Sequence, residues 1–314
     1  MLNEDDVFVK TYDSSDNPVK FSIKKFLISK LPSMYERVFL YNWNNRRENT
    51  YLNSSIDFIN NWYKSKPLFT EIEIETINRC NGLCLDCSCN KFSDKRKFKL
   101  MDDALFTNII KQLNELNFDG VLRLFSNNEP LLDKRIYDRI KYAKINVPDA
   151  KISLTTNGKL LTLDNFQKLI TGLDSLIIDC YSKEFDENVK TVYNYILNKP
   201  DLKNVVKFQY ILENDIRSNR ALQAPNRHLL QKHKIPCLYP FIQLVIRSDG
   251  GVSLCCNDGQ GIYTLGDCNK DKLYDIWYNK AYENLRYNTL NNLDNLYPCA
   301  YCDGYAACDR YLIK

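Results

Sequence analysis

Cys80, Cys84 and Cys87 fall within eight residues of one another, and Cys89 stands just behind them. Three thiolates at this spacing can each bond a different iron of a four-iron, four-sulfide cubane, which leaves the fourth iron open to another ligand. Gly82 inside the loop permits the tight wrapping that such a cluster requires. An open coordination position is what separates a metal centre that performs chemistry from one that only holds a fold. The alternative is a structural zinc site with Cys89 as its fourth ligand, although zinc knuckles usually draw two cysteine pairs from separate segments.

A second group lies far downstream. Cys237, Cys255, Cys299 and Cys302 come from three separated segments. Four thiolates can saturate a second 4Fe-4S cluster, and the same spacing is open to a four-cysteine zinc ribbon. Cys256 and Cys308 are alternative ligands for this group. Neighbours in extended chain point opposite ways, so only one of Cys255 and Cys256 is expected to bind. Cys89, Cys180 and Cys268 are left over, and their default role is that of a small buried hydrophobe.

Composition restricts what these thiols serve. The chain has 314 residues and a formal net charge of +4, with no dense Lys/Arg block interleaved with aromatics, so nucleic acid is not an expected partner. The N-terminus, MLNEDDVFVK, is acidic where a secretory signal is basic, and no apolar run approaches the roughly 20 residues of a membrane span. These features predict a cytoplasmic protein. Twelve cysteines stay reduced there, which favours metal ligation over disulfides.

The elements that must position the thiols follow a repeating pattern. Strand-like runs FTEIEIET, GVLRLFS, AKISLTT, DSLIIDC, VVKFQYIL and FIQLVIR are separated, over most of their length, by segments with apolar residues at helical spacing, such as MDDALFTNIIKQLNELN. Thr162 or Asp164 is available to cap the helix in LTLDNFQKLI. Alternating strands and helices predict an α/β fold with a parallel sheet, closed or partly closed. Chemistry in such folds gathers at the C-terminal strand ends. Cys80 to Cys87 follow the first strand and Asn127 to Pro130 the second, so both converge on one mouth. Three divisions are expected: residues 1–66, a cap or docking segment with helix-like FSIKKFLISKL; 67–235, the barrel; and 236–314, a cysteine-rich extension.

CNGLCLDC, directly after the first strand, resembles the Cx3Cx2C loop of the radical S-adenosylmethionine (radical SAM) enzymes. The resemblance runs from about Phe69 to the C-terminus and implies a partial (β/α)6 barrel. A second motif, SNNEP, stands where that family often has a Gly-Gly-Glu-like segment. By this resemblance Glu129 accepts from the amino group of the methionine moiety, and Asn127 and Asn128, which tolerate left-handed dihedrals, replace the glycines. Thr155 and Asn157, in TTNG, correspond to a polar turn near the cofactor. Asp179, Cys180 and Tyr181 end the fourth strand, where a polar residue commonly reaches the ribose. Asp86 departs from the family, which usually has an aromatic residue there against adenine; here it is a candidate to hydrogen-bond the nucleoside.

Cys237, the Asp249-Gly250 hairpin turn, Cys255 and LGDCNKDKLYDIWYN resemble the SPASM and twitch extensions of the same enzymes. Too few cysteines remain for two auxiliary clusters, so a single twitch-like one is expected. The resemblance implies reductive cleavage of S-adenosylmethionine to a 5′-deoxyadenosyl radical, hydrogen abstraction from substrate, and transfer of an electron to the auxiliary 4Fe-4S cluster. It also implies an electron donor such as flavodoxin or ferredoxin. Cys180 and Tyr181 are the catalytic candidates, Cys180 as a hydrogen-atom donor. Arg217, Arg220 and Arg227 are candidates to clamp a carboxylate or phosphate. His228 and His233 are the only histidines, so a base is expected among Asp, Glu, Lys or Tyr. Two substrate classes stay open: a sugar-like or cyclitol alcohol, and a peptide docked by residues 1–66.

Overall fold

The computed structural model describes residues 8–9, 41–181, 186–211, 219–225, 235–291 and 296–302. Arg217, Arg227, Cys308, both histidines and the FSIKKFLISKL segment lie outside the described residues.

Nine strands form one sheet: β1 (Phe8–Val9), β2 (Glu71–Ile74), β3 (Val121–Arg123), β4 (Lys151–Thr156), β5 (Ser175–Cys180), β6 (Val206–Tyr210), β7 (Gln243–Ile246), β8 (Gly251–Ser253) and β9 (Thr264–Asp267). Their spatial order is β1-β6-β5-β4-β3-β2-β7-β8-β9. Strands β1 to β7 pair in parallel, and β8 and β9 add on antiparallel. All six predicted strands form. The sixth departs from simple succession, because FIQLVIR returns to pair with β2, register Ile72 to Leu244, instead of following β6. Strand β1 takes the β6 edge instead, Phe8 against Phe208. The run continues into the antiparallel strands through the hairpin at Gly250, whose φ of +91° favours glycine.

Eight helices are described: α1 (Tyr41–Ser65), α2 (Asp103–Glu115), α3 (Ile136–Asn146), α4 (Leu163–Ile170), α5 (Glu187–Leu197), α6 (Tyr239–Ile242), α7 (Leu273–Trp277) and α8 (Lys280–Asn291). Of the two predicted caps for α4, Thr162 serves: its side chain accepts from Asn165 N at 3.2 Å. None of the described helices is long and apolar enough to cross a membrane.

Register divides the sheet into two faces, because paired residues of adjacent strands point the same way. Ile72, Leu122, Ile152, Leu176 and Leu244 share one face and are buried in the hydrophobic core. Glu71, Glu73, Arg123, Ser153, Thr155, Asp179 and Gln243 share the other. That face carries the polar chemistry.

Helix α1 joins the C-terminal extension to this core. Trp62 packs edge-on against Phe241 at 5.4 Å and against Trp277 at 6.5 Å. The buried Arg286 guanidinium lies 4.5 Å from the Trp62 ring, 4.3 Å from Trp277 and 4.8 Å from Tyr282. Burial pushes its pKa down to about 10, and the ring faces supply part of the negative potential that water would provide.

Candidate metal and cofactor site

The first cysteine loop springs from the C-terminal end of β2. A Cβ built on Gly82 would lie 3.3 Å from Cys80 Sγ and 3.6 Å from Cys84 Sγ, so the glycine leaves open the hollow that these two sulfurs face. Gly82 N donates to Cys80 Sγ at 3.2 Å and Cys89 N to Cys87 Sγ at 3.4 Å, the kind of backbone donation that supports cluster thiolates. Burial pushes the Cys80 thiol up to about 12, so a thiolate here requires the positive charge of bound metal near neutral pH. Cys89 stands apart: it is fully buried, and its Sγ accepts from Arg96 Nη2 at 3.4 Å. Arg96 also bonds both oxygens of Glu75, at 3.1 and 2.9 Å, and Asp94 Oδ2 at 2.8 Å, bracing the loop from beneath. Among the described residues no three His, Cys, Asp or Glu side chains are placed to hold a single metal ion. Three thiols on one short loop suit a polynuclear cluster, each bonding a different iron.

SNNEP and TTNG meet beside this loop. Glu129 is buried; its Oε1 accepts from Thr156 Oγ1 at 2.7 Å and Leu131 N at 3.1 Å, and its Oε2 accepts from Asn157 N at 2.8 Å. Burial raises its pKa against these three donors. A carboxylate accepts about four hydrogen bonds, so one acceptor position remains, on Oε2. Asn157 Nδ2 reaches across to Asn81 Oδ1 at 2.7 Å and lies 4.0 Å from Cys80 Sγ. Asn128 Oδ1 accepts from Ser126 N at 2.9 Å, while its Nδ2 is buried with no hydrogen-bond partner. An orphaned donor beside a carboxylate with spare capacity fits a zwitterionic amino-acid moiety, the methionine end of S-adenosylmethionine. Neither Asn127 nor Asn128 takes the left-handed conformation that their replacement of glycine suggested, because the Ser126–Asn128 hydrogen bond closes the turn at ordinary dihedrals.

Thr155 and Asp179 lie on the polar face of the sheet. Cys180 lies on the opposite face with Leu176 and Ile178, buried in the helix-packed core, and burial pushes its thiol up to about 12. It therefore turns away from the face that a hydrogen-atom donor would have to reach. Tyr181 is half-buried at the strand end, and Asp86 is partly buried in the field of the Arg220 guanidinium.

Sequence reasoning missed Glu73. Its carboxylate is buried on the polar face, where Ser126 Oγ donates to Oε2 at 2.7 Å and Gln243 Nε2 to Oε1 at 3.2 Å. Burial raises its pKa, while Ser126, Arg123 and Arg220 pull the other way. The alternation in EIEI was the available signal, because one face of a strand buried on both sides carried only acids. Thr156 was also missed, being one residue from the position that the motif singled out.

The second group gathers around the buried Cys255, with Cys237, Cys299 and Cys302 partly exposed. Cys255 is raised well above its usual range, first by burial and then by the neighbouring Cys256, Cys299, Cys302 and Cys237. Burial pushes Cys299 up to about 12, and Cys237 adds to the shift. Cys256 lies near Glu73 and Arg220, hydrogen-bonds Tyr239 and also neighbours Cys237. Two hydrogen bonds reach the segment around Cys255 and Cys256: Asn127 Nδ2, in the SNNEP turn, donates to Cys256 O at 2.8 Å, and Gln260 Nε2 donates to Ser88 O, next to Cys87, at 2.9 Å.

Residues 237–303 match the SPASM model, an iron-sulfur cluster-binding domain. The chain is 28% identical over 221 residues to an S-adenosyl-L-methionine-dependent 2-deoxy-scyllo-inosamine dehydrogenase of Niallia circulans, covering 70% of this chain and 86% of that protein. Its fold is similar to the crystal structure of BtrN in complex with AdoMet and 2-DOIA, with a TM-score of 0.68 and 24% identity, covering 76% of this chain and 94% of the other. A structure of anSMEcpe with bound AdoMet shares the fold at a TM-score of 0.51 and 14% identity, covering 76% and 86%.

Proposed function

Because this chain is a radical SAM enzyme with a C-terminal SPASM iron-sulfur domain, we propose that it dehydrogenates an alcohol carbon of an aminocyclitol to a ketone. The observation that carries the reading is the hydrogen bond from Gln260, in the loop that follows Cys255 and Cys256, to Ser88 O, next to Cys87, which supports a radical-generating centre that works with a nearby electron acceptor. The similarity to the inosamine dehydrogenase supplies the substrate class.

When bound, S-adenosylmethionine and the two clusters would supply radical hydrogen-atom abstraction and an acceptor for the remaining electron. This chain's residues hold and orient. Cys80, Cys84 and Cys87 would hold the SAM-binding cluster, and Cys237, Cys255, Cys299 and Cys302 the auxiliary one. Glu129 takes the methionine ammonium on its spare acceptor position, and Asn128 Nδ2 donates to the carboxylate. Thr155, Asn157 and Asp179 line the nucleoside side, with Asp86 at its edge. Glu73 receives the hydroxyl proton: it is a buried carboxylate of raised pKa on the polar face, and burial brings it toward the range a general base needs. A flavodoxin or ferredoxin supplies the reducing electron, in the cytoplasm where these thiols remain reduced.

Anaerobic reconstitution with iron, sulfide, reductant and S-adenosylmethionine tests the reading. We expect about eight irons per chain, the content of two 4Fe-4S clusters, together with 5′-deoxyadenosine and a ketone from 2-deoxy-scyllo-inosamine. Zinc without iron, or loaded protein that yields no 5′-deoxyadenosine, overturns it.

A further inference from the structure

Between β2 and α2 the chain makes one excursion whose outgoing limb carries the first cysteine loop and whose returning limb is basic. The two limbs are tied together. Asn78 N donates to Lys99 O at 3.1 Å, Asn78 Nδ2 to Lys97 O at 2.6 Å and Arg79 Nη2 to Arg96 O at 2.8 Å. Farther along, Lys91 N donates to Gly82 O at 3.0 Å and Asn90 Nδ2 to Cys84 O at 2.9 Å. These bonds fix the surface around Cys84 before any partner arrives.

That surface presents large apolar side chains to solvent. Leu83 and Leu85, on either side of Cys84, are 55% and 68% exposed, and Phe92 and Phe98 on the returning limb are 78% and 59% exposed. A single exposed hydrophobe needs no explanation, but four on one hydrogen-bonded excursion mark an interaction surface. A cation lies over each ring: Lys91 Nζ is 5.9 Å from the centroid of Phe92, and the Arg79 guanidinium 5.6 Å from that of Phe98. The charge is one-sided. From Lys91 to Lys99 the limb carries five cations and one acid, Asp94. Arg96 is engaged with Glu75 and Asp94, and Lys99 with Asp102 at 3.1 Å. Lys91, Lys95 and Lys97 are exposed and have no acid partner among the described residues.

We propose that this patch docks the reducing partner, an acidic one-electron flavoprotein of the flavodoxin type: Leu83, Leu85, Phe92 and Phe98 receive the apolar edge of its flavin, and Lys91, Lys95 and Lys97 meet the acids around it. The inference rests on the reading above that Cys80, Cys84 and Cys87 hold the SAM-binding cluster. An apolar centre inside a charged rim is the usual build of a transient interface, and opposite charge speeds the encounter. Because two of the apolar members flank Cys84, a carrier seated here faces the loop that holds the cluster. One electron leaves the flavin and enters that cluster, and no bond forms or breaks. Other occupants fit the charge less well. The ammonium of an aminocyclitol is repelled by three lysines, and a second copy of this chain brings the same cations.

The test is anaerobic isothermal titration calorimetry of the iron-loaded enzyme with a bacterial flavodoxin at low and high salt. Lys91→Glu/Lys95→Glu/Lys97→Glu is expected to weaken binding about tenfold or more at low salt and to flatten its salt dependence. Phe92→Ser/Phe98→Ser is expected to weaken it at both salt concentrations. Lys141→Glu/Lys151→Glu/Lys280→Glu, the same change of charge on exposed lysines elsewhere, is expected to bind as the wild type does. Both patch variants should form 5′-deoxyadenosine at the wild-type rate with dithionite and more slowly with reduced flavodoxin. Wild-type affinity in both patch variants overturns the proposal, as does an equal loss in the distal variant, which would make net charge the cause. Equal loss of activity with dithionite and with flavodoxin in both patch variants overturns it too, by assigning the patch to the integrity of the cluster loop. Ferredoxin binding that depends on the patch while flavodoxin binding does not overturns the occupant, and a wild-type dimer that Phe92→Ser/Phe98→Ser dissociates makes the patch a self-interface instead. Loaded wild-type protein that yields no 5′-deoxyadenosine even with dithionite overturns the SAM-binding reading, and the docking role with it.

Discussion

Asn127 Nδ2 donates to the carbonyl oxygen of Cys256 at 2.8 Å, joining the turn after the second barrel strand to the segment that carries the auxiliary cysteines. Residues far apart in sequence thereby share one partly buried hydrogen bond between the two cysteine-bearing regions.

Asn127→Ala leaves that carbonyl without its partner in a buried setting, at a cost of about 1–3 kcal/mol. The variant should melt earlier and still cleave S-adenosylmethionine, while the ratio of ketone to 5′-deoxyadenosine falls below that of the wild type. Chromatographic quantitation of both products from one reaction checks this; an unchanged ratio would show that the contact plays no part in coupling the sites.

Thr156→Val removes the 2.7 Å donor to Glu129 without changing the size of the side chain. Hydrogen bonds to charged groups are worth about 1.5–3 kcal/mol, and Glu129 would lose part of its fixed orientation. The dissociation constant for S-adenosylmethionine should rise by about tenfold or more. Equilibrium dialysis of the iron-loaded protein measures it directly, and an unchanged constant would free Glu129 from the role assigned to it.

Glu73→Gln separates two properties of one carboxylate. Because burial raises its folded pKa above the unfolded value, the native state holds its proton more tightly, and stability is lost as pH rises through that interval. The variant should therefore be more thermostable at pH 7, by about 2–4 °C, with the difference closing toward about pH 4, near the unfolded carboxyl pKa. It should cleave S-adenosylmethionine and form little ketone. Melting curves at several pH values, with product assays alongside, check both halves.

Much of this was legible before any coordinates. CNGLCLDC and its position after FTEIEIET announced the first site, because ligand spacing within one loop is a local property of the chain. The six barrel strands were legible from β-branched runs for the same reason. The pairing of β7 with β2 was not, since nothing in FIQLVIR records which sheet edge it joins. Cys180 illustrates a parity error: its place at a strand end was readable, but the face it takes depends on register against β4 and β6. Glu73 was hidden in the reverse way, as an acid that solvent exposure would have explained equally well. Arg220 was singled out as a candidate anion clamp, but its bond to Asn257 joins segments far apart in the chain and was not legible.

The central claim is that the radical formed in this site takes the carbinol hydrogen of an aminocyclitol. It is tested most directly with substrate deuterated at that carbon, by mass spectrometry of the 5′-deoxyadenosine produced. The account predicts 5′-deoxyadenosine that carries the substrate deuterium and accumulates in step with the ketone. Unlabelled 5′-deoxyadenosine accompanying ketone formation would contradict it.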